Sequence, residues 1–236
     1  MKQPIFADNQ VYHVYNRGVE KRNIFLDDQD RFRFIHDLFE FNDETPAANI
    51  YYKFNKLVGF QSYEVKPRKI EREPRKTLIN ILAFCLMPNH FHLLLQQRKE
   101  NGIVKFMQKL GTGYTMSFNQ KYERSGSLFQ GTYKAILVEK DSHFIHLPYY
   151  IHLNSLDIKF PEWREREIKN YKEAMDFLEN YHWSSFPDYI GKKNFPSVTQ
   201  RKILLEFFGG PEQYKKDTIK WLKEMNLEGI KDLILE

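Results

Sequence analysis

The residues best suited to chemistry in this chain are His90 and His92, which flank Phe91 in MPNHFHLLL. The run before them, Ile79 to Met87, is almost wholly apolar, and an extended chain sends alternate side chains to opposite faces. Both imidazoles would therefore share one face, with Phe91 on the other. Two imidazoles one pleat apart can bind a single divalent ion, so the pair supplies half of a metal site. Alone, His-x-His is a weak signal that ordinary half-exposed strand histidines also give.

A second set lies in DSHFIHLPYYIHLNSL, whose spacing predicts a helix with Asp141 or Ser142 as N-cap. Phe144, Leu147 and Ile151 form one apolar stripe, and Ile145, Tyr149 and Leu153 form a second beside it. His143, His146, Tyr150 and Asn154 fall on the remaining face at intervals of three and four. Tyr150, and not Tyr149, is thus on the polar side. A tyrosine four residues before an amide presents a nucleophilic oxygen and a hard oxygen ligand to the same point. Pro148 lacks an amide donor and crowds the preceding turn, which predicts a kink just before the tyrosine. Taken by itself, the segment also fits an amphipathic helix with a snorkelling tyrosine.

Five blocks in order, VYHVYNRGVEKRNIFLDD, MPNHFHLLL, GTGYTMSFNQKYERSGSLFQGTYKAILVEKD, YYIHLNS and YHWSSF, resemble the REP-associated tyrosine transposases. These belong to the IS200-like, single-tyrosine His-hydrophobic-His transposases. The resemblance spans about residues 10 to 186. It implies that His90 and His92 are metal ligands, Tyr150 the nucleophile, and Asn154 a further ligand one helical turn on. It also implies a divalent ion, Mg²⁺ or Mn²⁺, and single-stranded DNA with a stem-loop as substrate. The DNA would be cut beside the hairpin through a 5′-phosphotyrosine link and passed to another strand, by a monomer or a homodimer. The sequence departs from the family's usual pattern at Asn154-Ser155, where Asn-Pro is common, and at Pro148.

The elements that must position these residues follow from periodicity. VYHVYNR alternates as a strand ending at Gly18, and Asp27 to Asn42 has the caps and spacing of a helix. Thr77 to Leu86 and His90 to Gln96 read as a hairpin across Met-Pro-Asn, followed by a helix from about Gly102 to Tyr122 with Val104, Met107, Leu110 and Tyr114 facing the core. Ser127 to Glu139 reads as another long strand. Strand, helix, strand, strand, helix, strand predicts an α+β ferredoxin-like fold, an antiparallel sheet with helices on one face. We expect residues 1–156 to form this domain, with 43–76 as an insertion carrying the basic stretch KPRKIEREPRK, and 157–236 to form a helical extension. In the extension, a helix beginning at Pro211 and a shorter one ending at Gly209-Gly210 read as a packing buttress more readily than as a DNA-reading pair.

Composition sets limits. The 236 residues carry 36 Lys and Arg against 31 Asp and Glu, a formal charge of +5, which favours an anionic partner only mildly. Lys21, Arg22, Lys105, Lys109, Arg124 and Lys134 are candidate phosphate contacts, with Phe129 or Tyr133 as stacking platforms for unpaired bases. Cys85 is the single cysteine, so no disulfide forms within the chain, and no segment reads as a signal peptide or membrane span. A cytoplasmic protein is expected. Three rivals remain: a non-catalytic nucleic-acid module, which the absence of an RNA-recognition strand pattern disfavours; a metal hydrolase, which lacks His-Glu-x-x-His; and a replication initiator or relaxase sharing the same chemistry.

Overall fold

The computed structural model describes residues 4–45 and 74–224. Of the basic stretch KPRKIEREPRK, all but Pro74, Arg75 and Lys76 lies outside them. Four strands form one antiparallel sheet: β1 (Val11–Arg17), β2 (Ile79–Met87), β3 (His90–Gln97) and β4 (Lys134–Leu137), in the order β2-β3-β1-β4. With α1 (Asp28–Glu40) between β1 and β2 and α2 (Gly102–Lys121) between β3 and β4, this is the ferredoxin-like arrangement that the element order predicts.

Asp27 starts α1 with a reciprocal capping box to Asp30, which satisfies two of the helix's first donors. The core face of α2 consists of Ile103, Phe106, Met107, Leu110, Tyr114 and Phe118. Val104, expected inside, is exposed, because burying the larger pair Ile103 and Phe106 turns position 104 outward. The long strand expected over 127–139 is reduced to four residues, since Gly131 takes a positive φ of 76° and the chain before it is irregular.

α1 and α2 pack on one face, against Tyr12, Val14, Ile81, Phe84, Phe91, Leu93 and Leu95. The opposite face is also covered. There α3 (Asp141–Leu153) packs against Cys85, Met87 and Leu94, joined by α4 (Tyr171–Asn180), α5 (Phe186–Tyr189), α6 (Lys202–Phe207) and α7 (Pro211–Glu224). The extension thus shares an apolar core with the tyrosine helix. This explains why α3 is not amphipathic in the expected way: every residue from Leu147 to Leu153 is buried, with the sheet on one side and α7 on the other. The helix runs unbroken through Pro148, and Lys140 stands at its N-cap, with Asp141 already in the first turn.

Candidate metal and tyrosine site

The register of the sheet places the histidines. β3 lies between β2 and β1, with His90 opposite Arg17 and His92 opposite Tyr15. The alternation is as expected: Phe91 enters the α1/α2 core, 5.0 Å from the ring of Phe34, while His90 and His92 face the other way with ring centroids 5.0 Å apart. His92 is completely buried, and His90, at the mouth of the β2–β3 turn, is half-buried.

Tyr150 descends onto this pair from α3. Its ring is 5.9 Å from that of His92 and 6.3 Å from that of His13, edge-on to both. Tyr149, one residue earlier, points away and stacks on Tyr214 of α7 at 4.7 Å. Asn154 is buried directly after the helix, where its amide donates to the Tyr150 carbonyl at 2.7 Å and its Oδ1 accepts from Arg164 at 3.2 Å. His146, expected on the same face as Tyr150, instead accepts a hydrogen bond from Trp221 at 2.8 Å.

Three further residues, absent from the candidates above, line this site. His13, on β1, contacts His92 Nδ1 at 3.0 Å. Arg17 lies opposite His90 on β1 and bonds Gln130 at 2.5 Å. Both share the phase of Tyr15, so the alternation of VYHVYNR carries the signal. Arg164 follows α3 in a 3₁₀ turn, grips Asp157 through two hydrogen bonds and lies 5.8 Å from the Tyr150 ring centroid. Nothing in the local pattern around Arg164 announces that contact.

The electrostatics keep the imidazoles neutral. Burial pushes His90 down to about 4, Asp157 opposing this and Arg164 and Arg17 assisting it. His92 is held well below its ordinary range, first by burial and then by His90, His13 and Arg164. A neutral imidazole is the ligating form. Moreover, His92 Nε2 is buried without a hydrogen-bond partner among the described residues, an arrangement that suits a metal ligand and costs stability otherwise. Among the described residues no group of three His, Cys, Asp or Glu is placed to hold an ion. Asn154 offers an amide oxygen, already engaged by Arg164.

The candidate phosphate contacts separate. Lys21 and Arg22 sit in the turn after β1, where Gly18 donates to the Asn89 carbonyl at 2.8 Å and a Cβ at Gly18 would collide with the Arg22 carbonyl. Their backbone therefore abuts the turn that carries His90, and Asn89 reaches the Lys21 carbonyl at 3.2 Å. Lys134 pairs with Tyr15 on β4, in phase with the histidine face. Lys105 and Lys109 are on α2, across the sheet from the histidines, and Lys109 bonds the carbonyls of Asp43 and Thr45. Arg124, beyond α2, bonds Asn119 at 3.3 Å. Phe129 is buried against Phe91 and Tyr114 and so is a core residue with no face left for a base, and Tyr133 packs partly into the same core.

A ferredoxin-like sheet thus faces two histidines toward a helix-borne tyrosine, and a transposase family model matches this part of the chain. Residues 64–154, from before β2 through Tyr150 to Asn154, match the model of the IS200-like transposase family. No curated protein matches the chain. Among solved structures, a REP-associated tyrosine transposase bound to a REP hairpin aligns over 84% of this chain and 89% of its own, at 11% identity and a TM-score of 0.49. A putative transposase from Deinococcus radiodurans R1 aligns over 64% and 95%, at 13% identity and a TM-score of 0.34. No helix among the described residues is long and apolar enough to cross a membrane.

Proposed function

We propose that this protein cuts and rejoins single-stranded DNA with Tyr150 as nucleophile, at a divalent ion held by His90 and His92. The observation that supports this most is the convergence of Tyr150 on the ring of His92 at 5.9 Å, from an element far away in sequence. The family match covers both residues.

In the reaction, the Tyr150 oxygen attacks phosphorus, the bond from phosphorus to the 3′ oxygen breaks, and the phenol's proton is delivered to the departing oxygen. A 5′-phosphotyrosine ester and a free 3′-hydroxyl result. One phosphodiester is exchanged for another, so the 3′-hydroxyl of a second strand can reverse the step without ATP. The ion, Mg²⁺ or Mn²⁺, would polarise the scissile phosphate and neutralise developing charge. Packing of α3 between sheet and α7 fixes where the tyrosine ring sits. Arg164 brings a positive charge to that ring while Asp157 holds its guanidinium in place. Arg17, Lys134, Lys21 and Arg22 are further basic residues on or beside the histidine face and would meet the DNA backbone.

The substrate we propose is a strand carrying a stem-loop, as the resemblance of the sequence blocks implies. The deciding experiment incubates the protein with a labelled hairpin oligonucleotide and Mn²⁺, then looks for a covalent adduct stable to denaturation. Binding without any adduct would favour a non-catalytic module.

A further inference from the structure

Both His13 and His92 are completely buried, and His13 Nε2 lies 3.0 Å from His92 Nδ1. Their ring planes are nearly parallel, at 19°, with centroids 5.2 Å apart. With the nitrogens at hydrogen-bond distance, that separation means the rings meet edge to edge, where an imidazole N–H and a lone pair point.

Two neutral arrangements satisfy this contact. In one, His13 donates to His92, and the proton on His92 must then sit on Nε2. That N–H would be buried with no acceptor among the described residues, at a cost of order 1–3 kcal/mol. In the other, His92 donates from Nδ1 to His13, and Nε2 keeps its lone pair. Only the second leaves His92 able to ligate a cation, since an N–H cannot.

We propose that His13 is a positioning residue that fixes His92 as its Nδ1–H tautomer and aims the Nε2 lone pair into the site. This rests on the reading of His92 as a metal ligand for its purpose, but not for its observable. Metal-bound histidines commonly donate their other N–H to an oriented acceptor, and removing such an acceptor weakens binding about ten- to a hundredfold. Here the acceptor is a second imidazole carried by the neighbouring strand.

Long-range ¹H–¹⁵N correlation spectra of the metal-free protein read the tautomer directly, with His92→Gln giving the assignment. The expected result is Nδ1–H for His92 in the wild type, with that preference abolished in His13→Phe. An Nε2–H tautomer in the wild type overturns the proposal. Mn²⁺ titration followed by electron paramagnetic resonance supplies the second arm. His13→Phe should weaken binding at least tenfold, and His13→Gln, whose amide oxygen can still accept, should recover part of it. Wild-type affinity in His13→Phe, with native circular dichroism, would also overturn the proposal. Should the wild type itself fail to bind Mn²⁺, the metal reading of His90 and His92 falls, and the spectra still decide the tautomer.

Discussion

Tyr214 of α7 and His152 of α3 meet at 2.8 Å, phenol oxygen to Nδ1, two residues past Tyr150. The other nitrogen of His152 contacts the Ser185 hydroxyl, also at 2.8 Å, and that hydroxyl bonds Phe84 of β2. A completely buried imidazole thus ties the last helix, the tyrosine helix and the sheet together. Replacing Tyr214 with Phe leaves His152 Nδ1 without this partner, and we expect a destabilisation of about 1–3 kcal/mol in denaturant unfolding. If Tyr150 is aimed by this packing, adduct formation should fall as well, while Mn²⁺ binding through the β3 histidines persists. Unchanged stability in Tyr214→Phe would show that the contact contributes nothing.

This network bears on what the sequence discloses. The strand of His90 and His92 is legible because its alternation is local and its hairpin turn is marked by Pro88 and Asn89. The tyrosine helix is legible as a helix but not in its surroundings. Spacing alone puts His143, His146, Tyr150 and Asn154 on a single polar face, yet His146 serves Trp221 and Tyr150 is buried against the sheet. Which side of a helix counts as outside depends on α7, which arrives much later in the chain. Likewise, Arg164 reaches the site through an irregular turn that has no period to read.

The two adjacent tyrosines give a sharp test. Tyr150→Phe removes only the oxygen proposed as nucleophile, so the covalent adduct should vanish while hairpin binding stays within about twofold. Tyr149 contributes its ring to a stack with Tyr214 and Trp221, and Phe preserves that ring. Tyr149→Phe should therefore keep its adduct and be destabilised by no more than about 1 kcal/mol. An adduct in Tyr150→Phe that disappears in Tyr149→Phe would reverse the assignment.

Phe91 separates structure from chemistry within the His-Phe-His run. It is 2% exposed and packs on Phe34 and Phe129 in the α1/α2 core. Phe91→Ala should cost about 3–5 kcal/mol in unfolding free energy. His90→Ala and His92→Ala should instead abolish cleavage while leaving the fold cooperative, and excess chelator should do the same to the wild type, reversibly on adding Mn²⁺. Undiminished cleavage in chelator would remove the metal from the mechanism.

Acid should destabilise the protein before its carboxylates titrate. His90 is lowered to about 4, His152 to about 3 and His92 well below its ordinary range, all chiefly by burial. In the unfolded chain these groups take up protons near pH 6.5. Between pH 6.5 and about 4 the unfolded state therefore holds protons that the native state refuses, so stability falls as pH falls through that window. Each histidine contributes up to about 1.4 kcal/mol per pH unit. Melting curves at several pH values, run in chelator so that metal release does not mimic the effect, should show the decline. His152→Gln should flatten it by one histidine's share. Stability that is constant or rising from pH 6.5 to about 4.5 would contradict the burial of these rings.

Binding to DNA should distinguish the two sides of the sheet. Arg17 is opposite His90 and Lys134 is opposite Tyr15, both in phase with the histidine face, whereas Lys105 projects from α2 across the sheet. A single strand with a stem-loop should bind more tightly than the matching duplex, with affinity falling steeply as salt rises because phosphate neutralisation releases counterions. For single-stranded DNA, the slope of log affinity against log salt changes by about 0.7 for each phosphate that the protein no longer neutralises. Arg17→Gln and Lys134→Gln should each reduce the slope by roughly that amount, while Lys105→Gln should leave it unchanged. Gel-shift titrations at several salt concentrations measure all three. A slope that responds to Lys105→Gln but not to Arg17→Gln would place the DNA on the α1/α2 layer, away from Tyr150, and the proposed site could not be the one that cuts it.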